Sequence, residues 1–195
     1  MPVQEMMKLQ TITDDELRLS LLLAIHCAPI LFDKKATNIM TVTGEDFSKI
    51  RTLLMGTDIA CCCLNTRGDK RILYLYRERE IMEYWHAEDI QSFLREYGYE
   101  IDTFCEMLEH LSDRLLSYSN GEAAFPHEIG IFLGYPLMDV KGFVENNGKN
   151  FICSGYWKVY TDVQNALRKF REYDMVREQA IQAVVSGKKI GEIIV

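Results

Sequence analysis

Nowhere does this sequence stay apolar for long. Its longest run, Leu21 to Ile25 extended by His26, Cys27 and Ala28, falls short of the ~20 residues that a membrane-spanning helix needs. No membrane partner is therefore expected. The opening Met-Pro-Val-Gln-Glu-Met-Met-Lys lacks the basic-then-apolar build of a signal peptide, which sets the expectation of a cytoplasmic protein. Without an export signal the six cysteines read as reduced thiols, because a glutathione pool opposes disulfides and a chain of this size needs none. Three of them, Cys61, Cys62 and Cys63, are adjacent. Successive strand side chains point to opposite faces, so the trio reads as small hydrophobes in a buried strand and not as a metal site.

A block of basic residues is missing too. The densest stretch, Arg168, Lys169 and Arg171, is interrupted by Phe170 and followed by Glu172, as on a solvated helix face. A net charge of -7 repels phosphate backbones over the whole surface, so no nucleic-acid partner is expected. What the chain does have is ordinary globular material. Hydrophobic residues make up 48% and charged residues 26% of its 195 positions, which excludes the disordered class and fits a single domain over 1–195.

Periodicity orders the elements. Thr13-Asp14-Asp15-Glu16 caps a first helix from about Asp14 to Cys27, with Leu17, Leu21, Ala24 and Ile25 at helical spacing and Pro29 expected to stop it. Ile39 to Val42 predicts a strand, and Gly44 then opens a helix with Phe47, Ile50, Leu53 and Leu54 on one stripe. Ile59 to Leu64 and Ile72 to Tyr76, separated by Asn65 to Asp69, predict a hairpin with a longer loop. From Arg79 the spacing is helical, up to the polar loop Ser117 to Glu122. The fold class expected is α+β: a small, mostly antiparallel sheet of about three strands packed with a helix-rich C-terminal half.

The segment from Phe125 to Tyr160 carries the densest chemistry. Phe125-Pro126-His127-Glu128 predicts a helix start, Gly134-Tyr135-Pro136 its end, and Asp139 to Glu145 a second helix closed by Asn146-Asn147-Gly148. Ile129, Gly130, Leu133, Gly134, Leu137, Val140 and Phe143 fit a helix-turn-helix template. The second helix, however, offers Met138, Asp139, Lys141 and Gly142, which supply almost no groups for base edges. A zinc-protease motif fails because Ile131 stands where a second histidine is needed. His127 remains a candidate general base or binding residue, with local packing as the plainer role. Cys27 sits at a helix C-terminus, where the dipole disfavours a thiolate. A nucleophilic role beside His127 and Glu128 needs them to meet in space, and a buried structural thiol is the expected role. Gly155 to Tyr160 alternates aromatics with Lys158, which could line a pocket for a flat ligand. Alternatively, Trp157 and Val159 face the core while Tyr156, Lys158 and Tyr160 face solvent.

Phe125-Pro126-His127-Glu128-Ile129-Gly130, Leu133-Gly134-Tyr135-Pro136, Asp139-Val140, Gly142-Phe143 and Trp157-Lys158-Val159-Tyr160, with His26-Cys27-Ala28-Pro29 and Tyr74-Leu75-Tyr76-Arg77 upstream, resemble an uncharacterised bacterial family. It is known only as the domain of unknown function numbered thirty-seven ninety-three. The resemblance spans nearly the whole chain and brings no reaction, cofactor or partner with it. It implies further cysteines around Phe151 to Tyr156, where this chain keeps only Cys153, and this departure counts against a metal cluster. The residues identify no cofactor and no oligomeric state. The function they support is binding of a small molecule, with or without catalysis, at His127, Glu128, Cys27, Tyr135, Trp157 and Lys158. The alternative is a protein-interaction or regulatory module that uses the helix hairpin 127–145.

Overall fold

The computed structural model describes residues 12–100 and 103–195, and the reading of residues 1–8 falls outside them. In chain order the first half holds α1 (Asp15–Leu31), β1 (Thr37–Thr43), α2 (Gly44–Leu53), β2 (Ala60–Arg67) and β3 (Lys70–Tyr76). The second half holds α3 (Glu78–Trp85), α4 (Glu88–Arg95), α5 (Phe104–Ser119), α6 (Ile129–Phe132), α7 (Leu137–Glu145), β4 (Cys153–Ser154), β5 (Lys158–Val159) and α8 (Val163–Val185). The class is α+β, as expected, with the helices concentrated in the C-terminal half.

α1 begins where its cap predicts: the Asp14 carboxylate accepts the amides of Glu16 and Leu17 at 2.9 and 3.1 Å, two of the donors that a helix start leaves open. It does not stop before Pro29 but runs through it to Leu31. Cys27 to Leu31 are all buried, and that apolar burial outweighs the one backbone bond a proline removes.

β1, β3 and β2 form an antiparallel sheet in that order, with β3 in the centre. Helices cover both of its faces, which explains why β3 reads as a continuous apolar run. Leu73 and Leu75 join a cluster with α1, α2 and α8. Ile72, Tyr74 and Tyr76 join a second one with α3, α4, α5 and α6. The β2–β3 turn is tighter than expected, because pairing continues through the polar edge residues to Arg67 and Lys70 and leaves Gly68-Asp69 as the loop.

The cysteine trio departs from the buried-strand expectation. Cys61, Cys62 and Cys63 are each half-buried, since β2 lies at the sheet edge. All six thiols are free, so six should titrate after denaturation. In the native protein the exposed Cys105 should react with a thiol-exchange reagent first and Cys27 last. Cys27 is fully buried, and burial pushes its thiol up to about 12, whereas only a thiolate attacks. Equal rates at the two positions would overturn this order. The same burial makes the folded state lose stability as the pH climbs from the ordinary thiol range towards 12, because the unfolded chain ionises first. Among the described residues no helix is long and apolar enough to cross a membrane.

Candidate functional site

The frame of the site is a short helical hairpin followed by a folded loop. Pro126 opens a turn in which Ile129 N–H reaches the Pro126 carbonyl at 3.1 Å, and α6 itself begins only at Ile129. The expected helix start is therefore a turn, followed by a single helical turn. α6 ends in a Schellman motif. Gly134 adopts φ 66°, so that Gly134 and Tyr135 N–H return to the Ile131 and Gly130 carbonyls, each at 2.9 Å. A side chain at Gly134 would meet the left-handed penalty that glycine avoids. The rest of the turn is clamped from outside. Thr37 and Tyr74 hydroxyls both donate to the Phe132 carbonyl at 2.8 and 2.7 Å, and the Tyr84 hydroxyl donates to the Tyr135 carbonyl at 2.6 Å.

α7 then presents Asp139 inward. This carboxylate is 4% exposed and accepts four hydrogen bonds. Trp157 Nε1 donates to Oδ2 at 2.7 Å, while the Tyr160 amide, the Thr161 amide and the Thr161 hydroxyl donate to Oδ1 at 2.8, 3.1 and 3.1 Å. One side chain thus pins the 153–161 segment against α7. That segment is mostly ordered loop, with β4 and β5 pairing over two residues each. Its alternation follows the core reading for Trp157 and Val159, which are buried, but Tyr156, Lys158 and Tyr160 are half-buried and do not simply face solvent. Two close approaches lock it further. A Cβ on Gly142 would lie 2.5 Å from the Tyr160 ring, and a Cβ on Gly155 would overlap the Phe170 ring, so a side chain at either position forces the packing apart.

Between the hairpin and this loop lies a cavity of about 340 Å³. Phe125, His127 and Phe143 line it from the hairpin side, and Tyr156, Trp157 and Lys158 from the loop side. Tyr135 stacks on Trp157, with centroids 5.3 Å apart, and also reaches the cavity. Trp157 is therefore both a core residue and a cavity wall. His127 is exposed, and its ring lies 5.2 Å from Phe125 and 5.0 Å from Phe143. Lys158 Nζ donates to the Gly148 carbonyl at 2.7 Å and lies 5.4 and 4.9 Å from the Phe143 and Phe151 ring centroids.

Of the six residues singled out in the sequence, His127, Tyr135, Trp157 and Lys158 meet at this cavity and two do not. Glu128 turns the opposite way, as successive residues of a turn do. It is fully buried, pairs with Arg114 and accepts from the Tyr99 hydroxyl at 3.0 Å. It is not the orienter of His127. Cys27 packs in the cluster on the far side of the sheet, its sulfur accepting from Asn38 at 3.2 Å and donating to Met40 at 3.5 Å. A Cys27–His127–Glu128 arrangement is thereby excluded, and Cys27 is the structural thiol. Lys35 lies between the two regions. Its ammonium is 4.9 Å from the Tyr135 ring centroid, and desolvation pushes its pKa down to about 8.

Asp139 and Phe143 are the positions whose roles the sequence reading missed. The helix-turn-helix template places Asp139 among the residues offered to base edges, yet it is buried. Its only signal was an acid set among Leu137, Val140 and Phe143 on an apolar face. A second hollow of about 420 Å³ carries Cys62, Cys63 and Cys105, but burial pushes the Cys62 thiol up to about 12, which disarms it as a nucleophile. Among the described residues no group of three or more His, Cys, Asp and Glu side chains could hold a metal ion.

No curated protein and no solved structure matches the chain. A family described as "Protein of unknown function (DUF3793)" matches residues 23–194, a span that takes in the second half of α1, the whole sheet and every wall of the cavity. The chain belongs to that family.

Proposed function

We propose that this protein binds a small molecule in the cavity between the α6–α7 hairpin and the 153–159 loop. The observation that carries this reading is a rigidly built hollow whose walls are aromatic and whose polar groups are few and convergent, the usual make-up of a ligand site. Its size, about 340 Å³, is at the lower end for such sites. The frame holding it is fixed by the buried Asp139 hub and by close backbone approach at Gly142 and Gly155. A docking surface on the hairpin is favoured less. The outward positions of α7 are Met138, Lys141 and Glu145, a mixed face that lacks the apolar stripe a partner helix would seek.

The test is a thermal-shift screen of a metabolite library. Ligand at a hundredfold excess over its dissociation constant stabilises the folded state by about 2.7 kcal/mol. Ser154 is exposed and lines the cavity, so Ser154→Trp should obstruct it without disturbing the core. His127→Ala should leave the melting temperature of the free protein within about 2 °C, since exposed substitutions are usually worth under ~0.5 kcal/mol. Both variants should lose the shifts that the wild type shows. Hits that survive unchanged in Ser154→Trp place binding elsewhere and overturn the proposal.

A further inference from the structure

The cavity also discriminates by charge and shape. Resting on the reading just given, we infer that its ligand is a planar aromatic molecule carrying one anionic group, a carboxylate or a phosphate.

A cationic ligand finds no counter-charge here. Asp139 is the one carboxylate residue among the lining residues, and its two oxygens already accept four hydrogen bonds. Glu128, next to His127 in sequence, is turned into the core with Arg114. The donors, by contrast, have capacity left. An ammonium has three N–H groups, and Lys158 uses one on the Gly148 carbonyl, with no carboxylate partner among the described residues. The His127 ring contacts Phe125 and Phe143 and makes no side-chain hydrogen bond among the described residues, leaving both nitrogens open to a ligand. In a chain of net charge -7, an ammonium without a carboxylate at the edge of a cavity is a local reversal of sign. An anion is the chemistry that completes it.

Shape follows from the walls. Phe125 and Phe143 line the hairpin side, Tyr156 and Trp157 the loop side, so a flat ring meets aromatic surface from both. Both polar groups sit against the same Phe143 ring, His127 at 5.0 Å and Lys158 at 5.4 Å from its centroid. A ring stacked in the cavity therefore presents its anionic substituent to the two donors together.

Four probes separate charge from shape: indole-3-acetate, its uncharged amide indole-3-acetamide, cyclohexylacetate, and phenyl phosphate, each titrated by calorimetry at low ionic strength. Indole-3-acetate should bind at least tenfold tighter than the amide and tenfold tighter than cyclohexylacetate. Lys158→Met should remove the advantage over the amide. Tight binding of phenyl phosphate in place of indole-3-acetate assigns the anion as phosphate. Equal binding of acid and amide overturns the charge inference, and the cavity proposal survives if Ser154→Trp abolishes both. If no probe binds at millimolar concentration the ligand class is overturned, and the library screen decides the cavity proposal separately.

Discussion

Replacing Asp139 with alanine should destabilise the protein by about 3–4 kcal/mol and lower its melting temperature by roughly 10 °C. The change deletes the acceptor of four hydrogen bonds. Of the orphaned donors, Trp157 Nε1 belongs to a buried residue and cannot turn to water, so it carries its full desolvation penalty of about 1–3 kcal/mol. The amides of Tyr160 and Thr161 lie nearer the surface and recover part of their loss from solvent. Beyond stability, the variant should lose the near-ultraviolet dichroism of Trp157 and with it all ligand binding, because the loop wall of the cavity has come away. Asp139→Asn should be milder, about 1–2 kcal/mol. Its oxygen can still take the three bonds that converge on Oδ1, whereas its amide nitrogen then faces Trp157 Nε1, donor against donor. An Asp139→Ala protein that melts within 2 °C of the wild type, with its aromatic dichroism intact, would remove Asp139 from the centre of the site.

Arg114→Met should also be damaging, by about 1–3 kcal/mol, since it strands a fully buried carboxylate, although Arg114 itself is 34% exposed and solvent already screens the pair. The stranded group is Glu128, which has no exposed surface and, among the described residues, retains only the Tyr99 hydroxyl. Among those residues its second oxygen has no partner even in the intact protein. The double replacement Arg114→Met with Glu128→Leu should recover most of the loss, because well-packed apolar side chains often replace a buried pair at little cost. Chemical denaturation of the two variants checks both statements. A single variant as stable as the wild type would show that the pair contributes nothing. A double variant no better than the single one would make the loss one of packing alone. Either way, the outcome concerns stability only, for Glu128 faces away from the cavity.

Local chemistry accounts for much of what was legible in the chain. The Asp14 cap, the strand propensity of Ile39 to Val42 and of Ile72 to Tyr76, and the terminating Gly134-Tyr135-Pro136 and Asn146-Asn147-Gly148 are interactions among near neighbours. The elements they announce are present. Even the resemblance to the family rested on contiguous residues, and the family match covers residues 23–194. Where local rules failed, burial decided. α1 passes through Pro29 because Ile30 and Leu31 have a core to enter. The Cys61–Cys63 strand is half-exposed because strand order, which no local pattern specifies, leaves β2 at an edge.

The site divides along the same line. By itself the sequence determined that His127, Tyr135, Trp157 and Lys158 belong to one chemically dense segment, since side-chain type and spacing are written in the chain. Only the tertiary structure decided which of its neighbours share the cavity. Glu128 follows His127 directly yet points into another cluster, and Cys27 lies across the sheet. Asp139, one residue of the template's second helix, joins α7 to donors that come from residues 157–161. The physical reason is that a side chain's role depends on which distant groups desolvate it and which satisfy its hydrogen bonds, and both are set by packing between segments far apart in sequence.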